Sequence, residues 1–367
     1  MEKPRMGKTK RAILIAAAVA LALLCAAALA MRQGLTHMRE GAVQVAEKPA
    51  PTTAPSPALS AAPTHTAAPE APPAPSPIPI YRVEPIDGEV TNVLLIGTDS
   101  RKAAGSLISG NADTTILASF NRRTNTVTLV SFLRDTVLTI GGLSGEYGKL
   151  KTAYTTGGTG MLVNTLNEFF ALDIQQYCAV GLNGFVAFVD ETLGGVDMEL
   201  SRAEIDYINE RITSYENEID AVKRCPLVTD PPGMVHLTGA QLLIFVRNRT
   251  TGADDGDGGN DYDRAARQQE ALETIYRKIV AEQPLSAVPG VIGFAMRHVE
   301  TNMTAEEIYA LAVPLMTDPP AIRCVSVPFA GTWEYGGDGT GILFYRETTV
   351  ERLRALLYAD QSTGDVS

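Results

Sequence analysis

The chain has 367 residues with a formal net charge of −11, and hydrophobic residues make up 45% of it. This apolar content excludes a chain that is disordered throughout, and the acidic balance argues against a nucleic-acid partner. Four histidines and four cysteines without a CxxC motif argue against a zinc site. Any bound metal would therefore be held by carboxylates.

The N-terminal region predicts a membrane anchor. Residues 1–11 form a basic tail, and residues 12–31 form an apolar run without a charge. A helix of that length matches the hydrocarbon core of a bilayer, about 30 Å thick. Because basic flanks stay in the cytoplasm, we expect a single-pass protein of the cell membrane whose remaining chain is extracytoplasmic. A cleavable signal peptide is the alternative, but the run is longer than the usual signal-peptide core.

Composition divides the rest of the chain into a linker, one domain and a short tail. Residues 32–85 are rich in Pro and Ala, which favours an extended extracytoplasmic spacer without a core of its own. Residues 86–360 have a globular composition and are expected to form the catalytic domain, and residues 361–367 form a C-terminal tail. A disulfide between Cys225 and Cys324 is an open alternative that the sequence does not decide.

Alternating strand and helix patterns predict an α/β fold. Strands rich in Val, Ile, Leu and Thr are expected at 93–97, 114–120, 126–132, 174–180, 195–200 and 322–327. Helices are expected at 160–170, 184–193, 238–246, 263–280, 305–315 and 348–357. Thr238 and Thr304 are expected to be N-caps, with Glu307 completing a capping box. A short turn makes the second and third strands a hairpin. We therefore expect a central mixed, partly antiparallel sheet covered by helices, an αβα sandwich.

Three charged residues flank the first three strands. Asp99 follows the first strand, Asp113 precedes the second, and Arg134 follows the third. If these strands are antiparallel, all three side chains lie at the same edge of the sheet. Mg²⁺ takes oxygen ligands from carboxylates, water and substrate phosphates. We therefore expect Asp99 and Asp113 to hold Mg²⁺ or another divalent cation beside a phosphate.

An arginine cluster stands out in this acidic chain. Its members are Arg247, Arg249, Arg264 and Arg267. Arginine binds phosphate in a bidentate manner and is costly to bury without an anion. Arg264, Arg267 and Gln268 are spaced so that they share one face of a helix. The cluster predicts a binding site for a pyrophosphate.

Seven segments occur in an order that is typical of a known family. They are NVLLIGTDSR (92–101), ADTTILASFN (112–121), VSFLRDT (130–136), KLKTAYTTGG (149–158), FVDETLGGVDMEL (188–200), LTGAQLLIFVRNR (237–249) and DYDRAARQQ (261–269). This ordered set resembles the LytR-CpsA-Psr family of cell-wall glycopolymer ligases. The resemblance covers roughly residues 90–279 and extends to VETNMTAEEIYALA (299–312).

The resemblance implies a role for each matching residue. Asp99 and Asp113 match the family's acidic pair, which is associated with magnesium and catalysis. Arg134, Arg247 and Arg249 match arginines of its catalytic centre. The residues implied to grip the pyrophosphate of a polyprenyl-linked saccharide are Arg101, Arg134, Lys149, Arg247, Arg249, Asp261, Arg264, Arg267 and Gln268.

Four features depart from the family's pattern. Asn111 stands where members often carry arginine, Leu133 replaces a proline, and Lys151 replaces an asparagine. Segment 254–261 adds acidic residues, and its composition favours a solvated loop over a cation-binding one.

The resemblance implies a phosphotransferase. A polyprenyl-pyrophosphate-linked saccharide would pass its saccharide phosphate to a peptidoglycan hydroxyl, releasing polyprenyl phosphate. The glycopolymer, whether wall teichoic acid, capsule or another glycan, is left open. Two alternatives are a pyrophosphohydrolase of the same lipid and a non-catalytic, lipid-binding regulator of envelope synthesis. The family holds its polyprenyl chain in a tunnel, and the apolar segments 162–170 and 185–189 suit either that tunnel or an ordinary core.

Overall fold

A computed structural model describes eight stretches of the chain. They are residues 45–46, 78–100, 110–141, 147–215, 225–249, 261–282, 298–336 and 341–358. The predicted membrane anchor, most of the linker, the C-terminal tail, Arg101 and acidic residues 254–260 lie outside them. Within the described stretches, no helix is both long enough and apolar enough to cross a bilayer.

Strands and helices alternate along the described chain. The strands are β1 (Val45–Ala46), β2 (Ile80–Tyr81), β3 (Val90–Thr98), β4 (Ala112–Asn121), β5 (Thr126–Phe132), β6 (Val137–Thr139), β7 (Tyr147–Lys149), β8 (Gln176–Val180), β9 (Val196–Leu200), β10 (Gly233–Leu237), β11 (Val299–Thr301), β12 (Ala321–Val327), β13 (Trp333–Tyr335) and β14 (Ile342–Phe344). The helices are α1 (Leu150–Phe170), α2 (Leu182–Ala187), α3 (Arg202–Tyr215), α4 (Gly239–Arg247), α5 (Asp261–Glu282), α6 (Ala305–Thr317) and α7 (Arg346–Tyr358). A π-helical turn, Phe188–Thr192, continues α2.

A six-stranded sheet forms the centre, in the order β11–β8–β3–β4–β5–β12. The pairs β3/β4, β4/β5 and β8/β11 are antiparallel, whereas β3/β8 and β5/β12 are parallel. The predicted mixed, partly antiparallel sheet is therefore confirmed. The predicted hairpin is confirmed as well, since β4 and β5 are adjacent and antiparallel.

Both faces of this sheet are buried, because alternate side chains of each strand point to opposite faces. On one face, Leu95 and Ile116 belong to the core formed with α2 to α6. On the other, Leu94 and Leu117 belong to the core formed with α1 and α7. The αβα sandwich follows, with helices on both sides of the sheet.

The predicted helices are all present, with two differences. The first begins at Leu150 rather than 160, and non-helical backbone at Gly157 and Gly158 divides it. Helix α3 was not predicted, although Ile205, Ile208 and Ile212 are buried at helical spacing. The predicted N-caps are confirmed, and both Thr238 and Thr304 form complete capping boxes.

The cysteines within the described residues are free thiols. Cys178 is buried in β8, Cys225 is half-buried, and Cys324 is exposed. The Sγ atom of Cys225 lies 3.6 Å from Oγ1 of Thr238. The disulfide between Cys225 and Cys324 is therefore not formed, and that alternative is wrong for this structure.

Candidate active site

Asp99, Asp113 and Arg134 lie at the same edge of the central sheet, as predicted. Because β4 is antiparallel to both β3 and β5, its first residues lie beside the last residues of its neighbours. The guanidinium of Arg134 donates a hydrogen bond to Oδ1 of Asp113. Asp99 lies one residue beyond β3, where its amide donates to the carbonyl of Asn111 at 3.1 Å.

Asn111, one of the departures from the family's pattern, binds Asp99. Its amide nitrogen donates to Oδ1 of Asp99 at 2.6 Å, and its Nδ2 donates to Oδ2 at 2.8 Å. Asn111 therefore engages both oxygens of the Asp99 carboxylate and fixes its orientation. The sequence carried no signal for this contact beyond the departure itself.

A β-bulge explains how Asp113 reaches the site. Gly97 lies opposite Thr114 and Thr98 lies opposite Ala112, so Asp113 is an extra residue in β4 without a partner in β3. A bulge interrupts the strict alternation of side chains and re-aims one of them. In consequence Asp113 and Thr114, although adjacent in sequence, both line the same cavity.

Arg134 lies among three carboxylates. Besides its hydrogen bond to Asp113, its Nε atom lies 3.4 Å from Oδ2 of Asp135 and 3.7 Å from Oδ2 of Asp261. Burial opposes the charge of Arg134, but the three carboxylates outweigh burial and raise its pKa. Arg134 is therefore a permanent cation at the edge of the sheet.

Asp135 also forms ion pairs with two lysines. It lies 3.8 Å from Nζ of Lys149 and 2.8 Å from Nζ of Lys151. Asp135 was not predicted as a site residue, although it directly follows Arg134 in the sequence. Lys149 thus lies beside the arginine site, and Lys151, a departure from the family's pattern, is the lysine closer to Asp135.

Asp261 brings the two arginine segments together. Its Oδ1 lies 3.1 Å from Nη2 of Arg264 and 3.8 Å from Nη2 of Arg249. Only 6% of the Arg264 side chain is exposed. Burial lowers the pKa of Arg264 to about 10, an effect that Asp261 opposes and the neighbouring Arg134 and Arg249 reinforce. A bound anion would relieve this crowding of positive charge.

Arg267 has a different environment from the other arginines. Its Nε lies 3.4 Å from Oε1 of Glu204 in α3, and its Nη1 donates to the carbonyl of Asn248 at 3.3 Å. Arg267 is buried and does not line the cavity. Since Asn248 separates Arg247 from Arg249, Arg267 supports the backbone that carries both.

One cavity of about 420 Å³ lies between the sheet and helices α2, α4 and α5. Its apolar wall includes Leu95, Ile116, Val180, Phe185, Phe188, Leu243, Val246 and Leu272. Its charged and amide side chains are Asp113, Arg134, Arg247, Arg249, Arg264 and Gln268. The cavity is therefore shaped for an amphiphile that has an apolar chain and an anionic head group.

The sequence left open whether segments 162–170 and 185–189 line a tunnel or form an ordinary core, and the structure gives a different answer for each. Phe185 and Phe188 line the cavity, in agreement with the tunnel interpretation. Segment 162–170 belongs to α1, and its buried apolar residues pack in the core on the opposite face of the sheet. That segment is ordinary core.

No cluster of three or more His, Cys, Asp or Glu residues suited to a metal occurs among the described residues. Asp113 lines the cavity, whereas Asp99 does not. Two carboxylates at neighbouring strand ends nevertheless meet the needs of Mg²⁺, which commonly uses only one or two protein carboxylates. The metal pair stays a prediction.

Solved structures of other proteins share this fold. Protein gbs0355 from Streptococcus agalactiae matches with a TM-score of 0.57 and 23% identity, covering 73% of this chain and 88% of that chain. A structure of TagT bound to LI-WTA matches with a TM-score of 0.55 and 23% identity, covering 75% and 93%.

Similarity in sequence extends to curated proteins. The polyisoprenyl-teichoic acid–peptidoglycan teichoic acid transferase TagU of Bacillus mycoides (strain KBAB4) is 29% identical over 221 residues, which are 60% of this chain and 63% of that protein. The matched part spans between 59% and 65% of the length of three curated relatives, which are two transferases of this name and biofilm regulatory protein A of Streptococcus mutans. The model of the LytR_cpsA_psr family matches residues 65–357, which are most of the chain. The chain therefore belongs to the LytR_cpsA_psr family.

Proposed function

We propose that the protein transfers a saccharide phosphate from a polyprenyl pyrophosphate carrier to a hydroxyl group of peptidoglycan. The observation that carries this proposal is a single cavity with an apolar wall and four arginines. A polyprenyl pyrophosphate has the matching pair of features, an apolar chain and an anionic head. The name of the Bacillus mycoides relative, a teichoic acid transferase acting on peptidoglycan, supports the same reaction class.

The arginines carry most of the proposed catalysis. In phosphoryl transfer the protein acts mainly by positioning the reactants and by stabilising charge on the phosphate oxygens. Arg134, Arg249 and Arg264 are already gathered around carboxylates, so their charges need little rearrangement when a pyrophosphate arrives. Asp261 orients these guanidiniums rather than contacting the anion.

We propose that Asp113 is the general base that accepts the proton of the acceptor's hydroxyl group. It lines the cavity beside Arg134, where a carboxylate oxygen can accept the proton of an attacking hydroxyl. Asp99 and Asp113 are also the residues that would hold a divalent cation. Such an ion, when bound, would neutralise negative charge on the transferred phosphoryl group.

Product analysis tests the reaction class. The full-length protein is incubated with a polyprenyl-pyrophosphate saccharide, a peptidoglycan oligomer and Mg²⁺, and the products are identified by mass spectrometry. We expect a phosphodiester between saccharide and oligomer, together with polyprenyl phosphate. Saccharide phosphate released into water without a joined product would indicate a pyrophosphohydrolase instead. Binding of the donor without any turnover would indicate a non-catalytic regulator.

A pair of arginine variants tests the site. Arg134→Ala is expected to lower the transfer rate by about 10²- to 10³-fold, the usual cost of losing a group that stabilises a transition-state oxyanion. Arg277→Ala is the matched control, because the Arg277 side chain on α5 is 48% exposed and does not line the cavity. Equal activity of the two variants would contradict the assigned site.

A further inference from the structure

Three aromatic side chains form a cluster outside the cavity. The rings of Tyr262 and Trp333 are stacked, with centroids 5.4 Å apart and an interplanar angle of 21°. Tyr335 meets Trp333 edge-on, with centroids 4.9 Å apart. The hydroxyl of Tyr262 donates to the carbonyl of Pro328 at 2.7 Å, which fixes that ring. We call Tyr262, Trp333 and Tyr335 the aromatic platform.

The aromatic platform is attached to the segment that carries Arg134. The amide of Ile342, in the partner strand of the platform's hairpin, donates to the carbonyl of Asp135 at 3.0 Å. Leu133 and Ile342 form a small apolar cluster against which Tyr262 and Trp333 pack. The residues on both sides of Arg134 therefore contact the platform or its hairpin. The platform and Arg134 are in consequence held in a fixed relative position.

The platform is accessible, and the donor's lipid does not need it. Tyr335 is 49% exposed and Trp333 is partly exposed. None of the three rings lines the cavity, whose apolar wall already suits a polyprenyl chain. Exposed aromatic clusters commonly mark binding sites. Since the rings lie beside the phosphate-binding edge but outside the donor's cavity, the second substrate is the occupant that fits.

We infer that the aromatic platform binds a pyranose ring of the acceptor glycan, an assignment that rests on the proposed function. A pyranose presents a row of C–H bonds on one face, and these carry partial positive charge. The faces of aromatic rings carry partial negative charge, so the two surfaces attract each other. A platform already stacked and hydrogen-bonded loses little conformational freedom on binding. The acceptor would thereby be held next to Arg134, where its hydroxyl meets the phosphoryl group.

Trp333 is the only tryptophan of the chain, so its fluorescence reports directly on the platform. We would titrate the full-length protein with a tetrasaccharide of alternating N-acetylglucosamine and N-acetylmuramic acid, without donor. A saturable change in tryptophan emission is expected. Its absence would overturn the inference. Because no turnover is needed, this result does not depend on the proposed reaction.

Two tyrosine variants provide the matched comparison. Tyr335→Ala is expected to weaken tetrasaccharide binding about three- to tenfold, the range expected for one aromatic contact. Tyr335→Phe keeps the ring and is expected to bind like the wild type. Tyr309→Ala removes a similarly exposed tyrosine from α6 and should leave binding unchanged. Equal weakening by Tyr335→Ala and Tyr309→Ala would contradict a specific platform.

The last measurement separates acceptor from donor. In the transfer assay, Tyr335→Ala should raise the KM for the acceptor and leave the KM for the donor unchanged. If the KM for the donor rises instead, the platform binds the donor's saccharide and the acceptor assignment is wrong. Tetrasaccharide binding without transfer would contradict the proposed function alone, and transfer without tetrasaccharide binding would contradict the inference alone.

Discussion

Arg267 illustrates how one residue can support a site without touching its ligand. Its guanidinium bridges Glu204 of α3 and the carbonyl of Asn248. Asn248 in turn lies between the cavity arginines Arg247 and Arg249 in the sequence. Arg267→Gln would leave a largely buried carboxylate without its cation. We expect the free energy of unfolding to fall by about 2–4 kcal/mol, the scale of breaking a buried ion pair. Chemical denaturation measures this change.

The control for Arg267 is an ion pair on the same helix. Lys278→Gln removes the partner of Glu282, whose side chain is 54% exposed, so the carboxylate that is left unpaired stays in water. Exposed pairs contribute about 0–1 kcal/mol, so a much smaller loss is expected. If Arg267→Gln left stability unchanged but abolished donor binding, Arg267 would be a direct phosphate ligand, as the family resemblance implied.

Glu273 makes the stability of the fold depend on pH. Burial raises the pKa of Glu273 to about 7, Arg277 opposes this, and Glu270 adds to it. Because the folded protein binds this proton more tightly than the unfolded chain does, the stabilisation is complete below about pH 4.5 and is lost as pH rises through 7. Between pH 5 and 8, the free energy of unfolding of Glu273→Gln is expected to fall by about 1–2 kcal/mol less than that of the wild type. Thermal denaturation at both pH values checks this, and parallel pH profiles would contradict it.

At the scale of elements, the segment around β2 is hydrogen-bonded to helix α1. Asn164 accepts a hydrogen bond from the amide of Tyr81 and donates one to the carbonyl of Pro79. Gly160 makes this contact possible, since a Cβ there would lie 1.7 Å from the carbonyl oxygen of Ile78. The glycine is required because two backbones approach each other closely.

Substitution of Gly160 should therefore loosen this contact. Gly160→Ala is expected to lower the free energy of unfolding by about 1–3 kcal/mol, the usual cost of overpacking. It should also speed hydrogen exchange of the Tyr81 amide. Gly88→Ala is the control, because nothing lies within 4 Å of a Cβ built there. Equal stability of both variants would show that the contact contributes little.

Six strands and most helices were predictable because their apolar runs are long and regular. The short strands were not predicted, and β11 of the central sheet is one of them. The hairpin of β4 and β5 also made the meeting of Asp113 and Arg134 predictable. The bulge at Asp113 was not predictable, since it depends on the register in which β4 pairs with β3. Helix α3 was missed because its three buried isoleucines lie among polar residues. Its Glu204 was missed with it, and so was the partner of Arg267.

At the scale of the molecule, local charge differs from net charge. The chain carries −11 overall, yet the cavity gathers four arginines. Asp113, Asp135 and Asp261 compensate the charges of three of them, Arg134, Arg249 and Arg264. A pyrophosphate would therefore compete with these carboxylates for the same guanidiniums. This arrangement keeps the cationic site ordered before the donor binds, which reduces the reorganisation that catalysis requires.

The same cavity must also accommodate an apolar chain, and this can be tested separately from the charges. Ala271 lines the cavity on α5 and is 2% exposed. Ala271→Phe would occupy part of the roughly 420 Å³ available. We expect about a tenfold or greater loss of affinity for undecaprenyl pyrophosphate, because each excluded methylene group costs about 0.8 kcal/mol. Affinity for geranyl pyrophosphate should be nearly unchanged, since its short chain fills less of the cavity.

The comparison uses the rise in Tm that each ligand produces. Ala281→Phe places the same ring on the exposed end of the same helix and should respond to both ligands like the wild type. If Ala271→Phe lost both ligands equally, the substitution would have disturbed the arginines rather than the apolar wall. If it lost neither, the polyprenyl chain would lie outside this cavity. A loss confined to the long chain would show that one cavity holds the chain and the anionic head in adjoining parts.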